Sequence, residues 1–265
     1  MITQAIRRVD ILGCPFDAIS FAETVATIRR AVLARTRLQV VPGSIDFVMK
    51  ARSNPSLAEE LWRSELVVAD GKPIVWAAWL LKDAICGRVS GTELVWKCAE
   101  ISHQIGCTVA LVGGMPGVAQ RAAAKMLDRY PEATLRAVPA PVPLSPRSSD
   151  TLVQGIRATG ASIILLALGA PRQEHWIQAN LGPSGADVGI GVGSAFDIIS
   201  GDKPRAPKWM QDSGLEWLHR LRLEPGRLGR RYLIEDSPFL YHLAVETIRR
   251  RLQRGGKCLP TNLQH

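Results

Sequence analysis

Thr108-Val109-Ala110-Leu111-Val112-Gly113-Gly114-Met115-Pro116-Gly117 runs from a continuous apolar strand into a glycine turn, and an Ala-rich helical stretch, Val118–Leu127, follows at once. Strand, tight turn and helix in that order form the repeating unit of a parallel sheet, because a parallel strand needs a crossover to rejoin its neighbour. Similar units recur on either side. The runs Val9–Leu12, Leu38–Val41, Leu66–Ala69, Leu135–Val138, Ile163–Leu168 and Val188–Val192 are short enough for strands, with helical patterns between most of them. Ser20-Phe21-Ala22-Glu23 reads as a capping box, after which Phe21, Val25, Ile28 and Val32 share one helical face. Ser90-Gly91-Thr92-Glu93 gives a second start signal. The reading is α/β: a Rossmann-like, mostly parallel sheet with helices on both faces.

With 265 residues and 46% apolar composition the chain buries a substantial core. Its charge is unevenly placed. From Lys203 onward 13 Lys and Arg stand against 6 Asp and Glu, so the last quarter carries +7 of the net +9. The expected organisation is a catalytic domain over residues 1–202 and a basic helical C-terminal appendage over 203–265. Five cysteines without a CxxC pair argue against a disulfide framework and for a reducing compartment. The first residues lack a signal-peptide core, and nowhere do about 18 uncharged apolar residues run together. A cytoplasmic location follows as the expectation. The basic tail suits anionic lipid, diphosphates or nucleic acid. Only three Tyr and five Phe occur and no nucleic-acid motif is present, so a basic RNA- or DNA-binding protein ranks well below an enzyme, and no nucleic-acid partner is expected. The proline-dense connector Pro139–Pro146 reads as a surface loop.

In open parallel sheets ligands bind beyond the carboxyl ends of the strands, so four strand-to-helix turns are candidates for chemistry. Val67-Val68-Ala69-Asp70-Gly71-Lys72-Pro73 places a carboxylate at a strand end; taken locally, Asp70 is as readily a helix cap as a general base. Gly113, Gly114 and Gly117 allow close backbone approach to a phosphate at a helix amino end, or form a purely structural turn. A nicotinamide dinucleotide would need an acid at the end of the next strand, which instead reads Ala137-Val138-Pro139-Ala140. Leu168-Gly169-Ala170-Pro171-Arg172-Gln173-Glu174 offers a guanidinium and a carboxamide. Gly189, Gly191 and Gly193 alternate along a strand, which tight packing alone would explain.

Several runs combine into a family pattern: Ala69-Asp70-Gly71, Gly87-Arg88-Val89-Ser90-Gly91-Thr92-Glu93-Leu94, Gly113-Gly114-Met115-Pro116-Gly117, Gly169-Ala170-Pro171-Arg172-Gln173-Glu174, Arg205-Ala206-Pro207-Lys208, Gly214-Leu215-Glu216-Trp217-Leu218-His219-Arg220-Leu221 and Glu224-Pro225-Gly226-Arg227. In this order and spacing the chain resembles the WecG/TagA/CpsF glycosyltransferases over nearly its whole length. The resemblance implies an inverting enzyme that works without a metal or other cofactor. It would pass N-acetylmannosamine, its uronic acid, glucose or glucuronic acid from a UDP-sugar to an undecaprenyl-diphosphate-linked acceptor in cell-surface polysaccharide synthesis. It further implies Asp70 as base, Arg88 as a pocket arginine and Gln173 as a cleft residue. Family members usually carry Thr and Asn where this chain has Pro42 and Ser44, a departure that bears on the donor, and a catalytically altered sugar-nucleotide binder is the alternative.

No Asp-x-Asp pair is present to hold a cation, and the five histidines show no ligand spacing. Arginines and helix amino ends would then meet the diphosphate charge, with Arg88, Arg220, Arg222, Arg227, Arg230 and Arg231 as candidates. After Pro238, the residues Leu240, Leu243, Ala244, Ile248 and Leu252 share a helical face with Arg249, Arg250 and Arg254 elsewhere. That pattern fits either a helix lying on an anionic membrane surface, which would make the protein peripheral on the inner face of the cell membrane, or one docked on the domain. A homo-oligomer is compatible with the sequence.

Overall fold

The computed structural model describes residues 6–141 and 144–255, without the side chains of residues 227, 254 and 255. Six strands form the main sheet: β3 (Leu38–Gly43), β4 (Leu66–Ala69), β5 (Thr108–Gly113), β6 (Thr134–Val138), β7 (Ile163–Ala167) and β8 (Val188–Gly191). Their spatial order is β4-β3-β8-β7-β5-β6, and every neighbouring pair is parallel. All but the edge strand β6 are buried on both faces, which is why they read as largely apolar runs.

Successive strand residues alternate between two cores. Val109 and Leu111 face a cluster with α1 (Phe21–Ala34), α5 (Gly91–Ile105), α6 (Val118–Arg129) and α9 (Ala195–Ser200). Ala110 and Val112 face α7 (Pro146–Ala158) and α8 (Arg172–Ser184). On that second side, α2 (Ile45–Ser53), α3 (Pro55–Arg63) and α4 (Lys72–Leu80) cover the β3–β4 end. Both start signals predicted from the sequence precede helices, and Ser20 with Glu23 forms a complete capping box.

Val9–Leu12 requires a correction. The sequence pattern places it in series with the sheet strands, but it lies in a separate antiparallel hairpin of β1 (Arg8–Ile11) and β2 (Cys14–Asp17). Leu12 and Gly13, with φ of 55° and 92°, make the two-residue turn, the geometry that suits a hairpin. Pro15 within β2 disguises the second strand. The hairpin covers the exposed edge at β4. Buried Asp17 accepts the Val67 N–H at 2.7 Å and pairs with Arg8 at 2.8 and 2.9 Å.

After α9 the chain returns across the carboxyl edge as α10 (Lys208–Asp212), α11 (Glu216–Leu223), α12 (Pro225–Arg230), a π-helical turn Arg231–Glu235 and α13 (Pro238–Gly255). Phe239 and Leu243 anchor α13 in the apolar cluster of the hairpin, α2 and α4. Arg250 pairs with Asp83 at 2.8 Å and donates to the Asp10 carbonyl at 3.0 Å. The single apolar face expected for this helix is therefore split: Leu243 docks, whereas Leu240, Ile248 and Leu252 stay 71%, 59% and 72% exposed. Among the described residues no helix is long and apolar enough to cross a membrane.

Candidate active site

The carboxyl ends of β3, β4, β5, β7 and β8 open into one cleft of about 610 Å3, roofed by residues from Lys203 to Tyr232. Helices α2, α5 and α8 begin at its walls, so the partial positive charge of their amino ends faces the cavity. The connector residues Ala140, Pro141 and Leu144 complete the rim.

Asp70 stands where β4 ends. Its backbone N–H donates to the Gly43 carbonyl at 2.8 Å, and Gly71, at φ 112°, turns the chain into α4. The cap position of α4 is Gly71, and no side chain caps that helix. The Asp70 carboxylate instead faces the Gly91 amide at the amino end of α5, which favours its ionised form. Burial pushes its pKa up to about 6; Arg220 opposes the rise, Glu216 adds to it, and Arg88 and the Gly91 amide oppose it again. A carboxyl poised near neutrality beside a cleft can exchange a proton with a bound hydroxyl.

Around it runs a chain of alternating charges. Arg205 lies 2.9 Å from Glu93, Glu93 is 2.8 Å from Arg88, Arg88 is 3.2 Å from Glu216, and Glu216 is 2.9 Å from Arg220. Three guanidiniums against two carboxylates leave one positive charge for Asp70 or for an incoming diphosphate. The network also ties α11 to α5. Arg231 adds a further cation on the cleft wall, 3.5 Å from Asp46 and 3.3 Å from Asp236.

Gln173 is held firmly. Its Oε1 accepts from the amides of Gly169 and Gly193 at 3.2 and 3.3 Å, and its Nε2 donates to Glu174 Oε1 at 2.8 Å. It thereby joins the loops after β7 and β8. Glu174 is buried, which pushes its carboxyl up to about 7, and its Oε2 has no hydrogen-bond partner among the described residues. The alternating glycines of β8 have their explanation here: a Cβ on Gly191 would lie 2.5 Å from both Gln173 Nε2 and Glu174 Oε1, and one on Gly189 would lie 2.6 Å from Ile177.

Of the residues singled out in the sequence, Asp70, Ser44, Gly113, Gly114, Arg172, Gln173 and Arg220 line the cleft. Pro42 lines it beside Ser44. Arg88 reaches an adjoining groove instead. Gly117, at φ 81°, caps α6 outside the lining, and Arg230 pairs with Glu235 at 3.7 Å, also outside it. Arg227 belongs to α12, but its side chain is outside the described residues. Sequence reasoning did not assign Glu93, Arg205 or Glu216. Their signal was present in the Arg205-Ala206-Pro207-Lys208 and Gly214-Leu215-Glu216 runs, yet the Arg88–Glu216 pair spans 128 positions. Among the described residues no group of three or more His, Cys, Asp or Glu gathers as a metal site.

A doubly wound parallel sheet with its cleft at the strands' carboxyl ends, helix amino ends turned inward and a carboxyl near neutrality is the architecture of a nucleotide-using α/β enzyme. The chain matches the Glycosyl transferase WecG/TagA/CpsF family over residues 9–253, belongs to that family, and is a glycosyltransferase. Among its relatives are the N-acetylglucosaminyldiphosphoundecaprenol N-acetyl-beta-D-mannosaminyltransferases of Staphylococcus aureus strains NCTC 8325 / PS 47 and MRSA252. Each is 28% identical over 240 residues, covering 89% of this chain and 92% of the relative.

Proposed function

We propose that the enzyme moves a sugar from a UDP donor to a hydroxyl of a sugar carried on undecaprenyl diphosphate, with inversion and without a metal ion, in the synthesis of a cell-surface polysaccharide. The observation that carries this reading is Asp70: a carboxyl with a pKa of about 6, on the wall of a cleft that also carries the guanidiniums of Arg172, Arg205, Arg220 and Arg231 and the amino ends of three helices. In its ionised form Asp70 accepts the proton of the acceptor hydroxyl while that oxygen bonds to the anomeric carbon. The bond from that carbon to the diphosphate breaks, and UDP departs with the electron pair. A single displacement of this kind inverts the anomeric centre. Charge growing on the departing diphosphate is met by Arg220, Arg231 and the amino ends of α2, α5 and α8.

The activity of the Staphylococcus aureus relatives supports N-acetylmannosamine as the donor sugar and N-acetylglucosaminyl-diphosphoundecaprenol as the acceptor. Exposed apolar side chains on α4 and α13 support action at the inner surface of the cell membrane. A donor-binding member without transfer activity is a second reading, favoured by Pro42 and Ser44 in the cleft wall. Purified protein incubated in EDTA with the lipid-linked acceptor and a panel of UDP-sugars, with products identified by mass spectrometry, tests all of these points. Transfer of N-acetylmannosamine in EDTA is expected. Donor binding with no transfer from any sugar would overturn the proposal in favour of the second reading.

A further inference from the structure

A groove of about 530 Å3 leaves the cleft sideways, between α4 and the C-terminal elements α11 and α13. Both cavities are lined by Asp70, Arg220 and Arg231, so the groove starts at the reacting carboxyl. Arg88 joins those two arginines at its inner end, where Asp46, Glu216 and Asp236 pair with the three guanidiniums and hold them in place. Farther out the walls turn apolar, with Trp76, Ala77 and Leu80 of α4 on one side and Trp217, Leu240 and Leu243 on the other. Gly214 lets the walls close up, since a Cβ there would lie 2.7 Å from the Trp76 ring. The same two helices carry further exposed apolar side chains, Trp79 at 75%, Tyr241 at 68% and Val245 at 47%.

Cations at the inner end and apolar walls along the rest match an amphiphile with a diphosphate head and a hydrocarbon chain. The acceptor named for the relatives has this chemistry. An acceptor sugar that reacts at Asp70 draws its diphosphate into the protein, and the first isoprene units follow out of the bilayer. Those units need apolar cover. We infer that this groove seats the prenyl chain next to the acceptor diphosphate, between α4 and α13, while the donor nucleotide fills the cleft on the other side of Asp70. The inference rests on the proposed function and adds where the lipid lies.

The test uses the full chain without membranes and two acceptors with the same sugar and diphosphate, one ending in a farnesyl chain and one in a methyl group. Both are kept below micellar concentration. The farnesyl-to-methyl ratio of kcat/KM is expected to be at least about tenfold, given the apolar area a prenyl chain buries. It should collapse towards one in Leu80→Asp and in Leu240→Asp, partly exposed positions that tolerate a polar side chain. Leu252→Asp, outside the groove lining, should keep the wild-type ratio. A wild-type ratio near one, or a ratio unmoved by both groove substitutions, overturns the inference. So does an equal collapse in Leu252→Asp, which would assign the preference to the general apolar surface. No transfer to either acceptor removes the proposed function itself, and the inference falls with it.

Discussion

The two walls of the cleft are built on different principles. On the sheet side, Gln173, Glu174, Gly189 and Gly191 lock the loops after β7 and β8 through internal hydrogen bonds and close packing. On the tail side, α11 is held to the body mainly by the ion pairs that run through Arg88 and Glu216, and most of its large apolar side chains remain exposed. One wall spends its polar groups on its own geometry; the other directs charge into the cavity. Sheet-wall substitutions should therefore register first as stability changes, and tail-wall substitutions as changes in rate and charge dependence. Asp70 lies at the meeting of the two.

The largest effect is expected at that meeting point. Asp70→Asn should lower kcat by roughly 10²–10⁴-fold while donor KM changes little, the signature of a lost general base. Because burial raises the folded pKa above the usual 3.8, the ionised carboxylate costs stability once the pH exceeds that value, and the cost is complete above about 6. Asn removes this cost. Thermal melts at pH 7.5 should show a stabilisation on the order of 1 kcal/mol, less than the full shift implies because the cleft admits water. Wild-type activity should fall as the pH drops through about 6. An Asn variant that turns over normally would sink the assignment.

Next comes the tail wall. Arg220→Ala should lower kcat/KM by about 10²-fold, since a guanidinium beside a developing diphosphate charge is worth a few kcal/mol. Its melting temperature should change little, because the pair it loses with Glu216 is half-exposed. The comparison breaks if this variant unfolds more readily than it loses activity. On the sheet wall the order reverses. Gly191→Ala pushes a methyl into Gln173 and Glu174 and should cost about 1–3 kcal/mol in denaturant unfolding, with a smaller loss of rate.

The contrast between walls also explains what could be read beforehand. Strands β5, β7 and β8 are buried on both faces, so their apolar runs announced themselves; the rule that ligands gather at strand carboxyl ends led to the turn that holds Asp70, and only the family resemblance raised a base above a helix cap there. The β1–β2 hairpin did not, because its turn relies on Leu12 at positive φ and its second strand contains Pro15. The tail wall was the least legible. Glu216 meets Arg88 across 128 positions, and no local pattern encodes that pairing. In α13, helical periodicity marked the apolar residues but could not say that Phe239 and Leu243 dock while Leu240 and Ile248 face outward.

The smallest effect on rate, and the finest test of the sheet wall, is expected from Glu174→Gln. The amide oxygen of Gln can still accept from Gln173 Nε2, so the loop positions and turnover should be nearly preserved. Stability should respond instead. Glu174 has a carboxyl raised by burial from its usual 4.5 to about 7, so the wild type loses stability as pH rises from 4.5, and the loss is complete only above 7. The corresponding loss from Asp70 is half over at pH 6 and nearly complete at pH 7. Between pH 6 and 7 most of the remaining slope therefore belongs to Glu174, at up to about 1 kcal/mol per pH unit. Urea unfolding at pH 6.0 and 7.0 should show a slope in the wild type that is slightly smaller in Asp70→Asn and much flatter in Glu174→Gln. If Glu174→Gln keeps the slope, the buried carboxyl is not the group that titrates, and the pH dependence must come from a group outside the sheet wall.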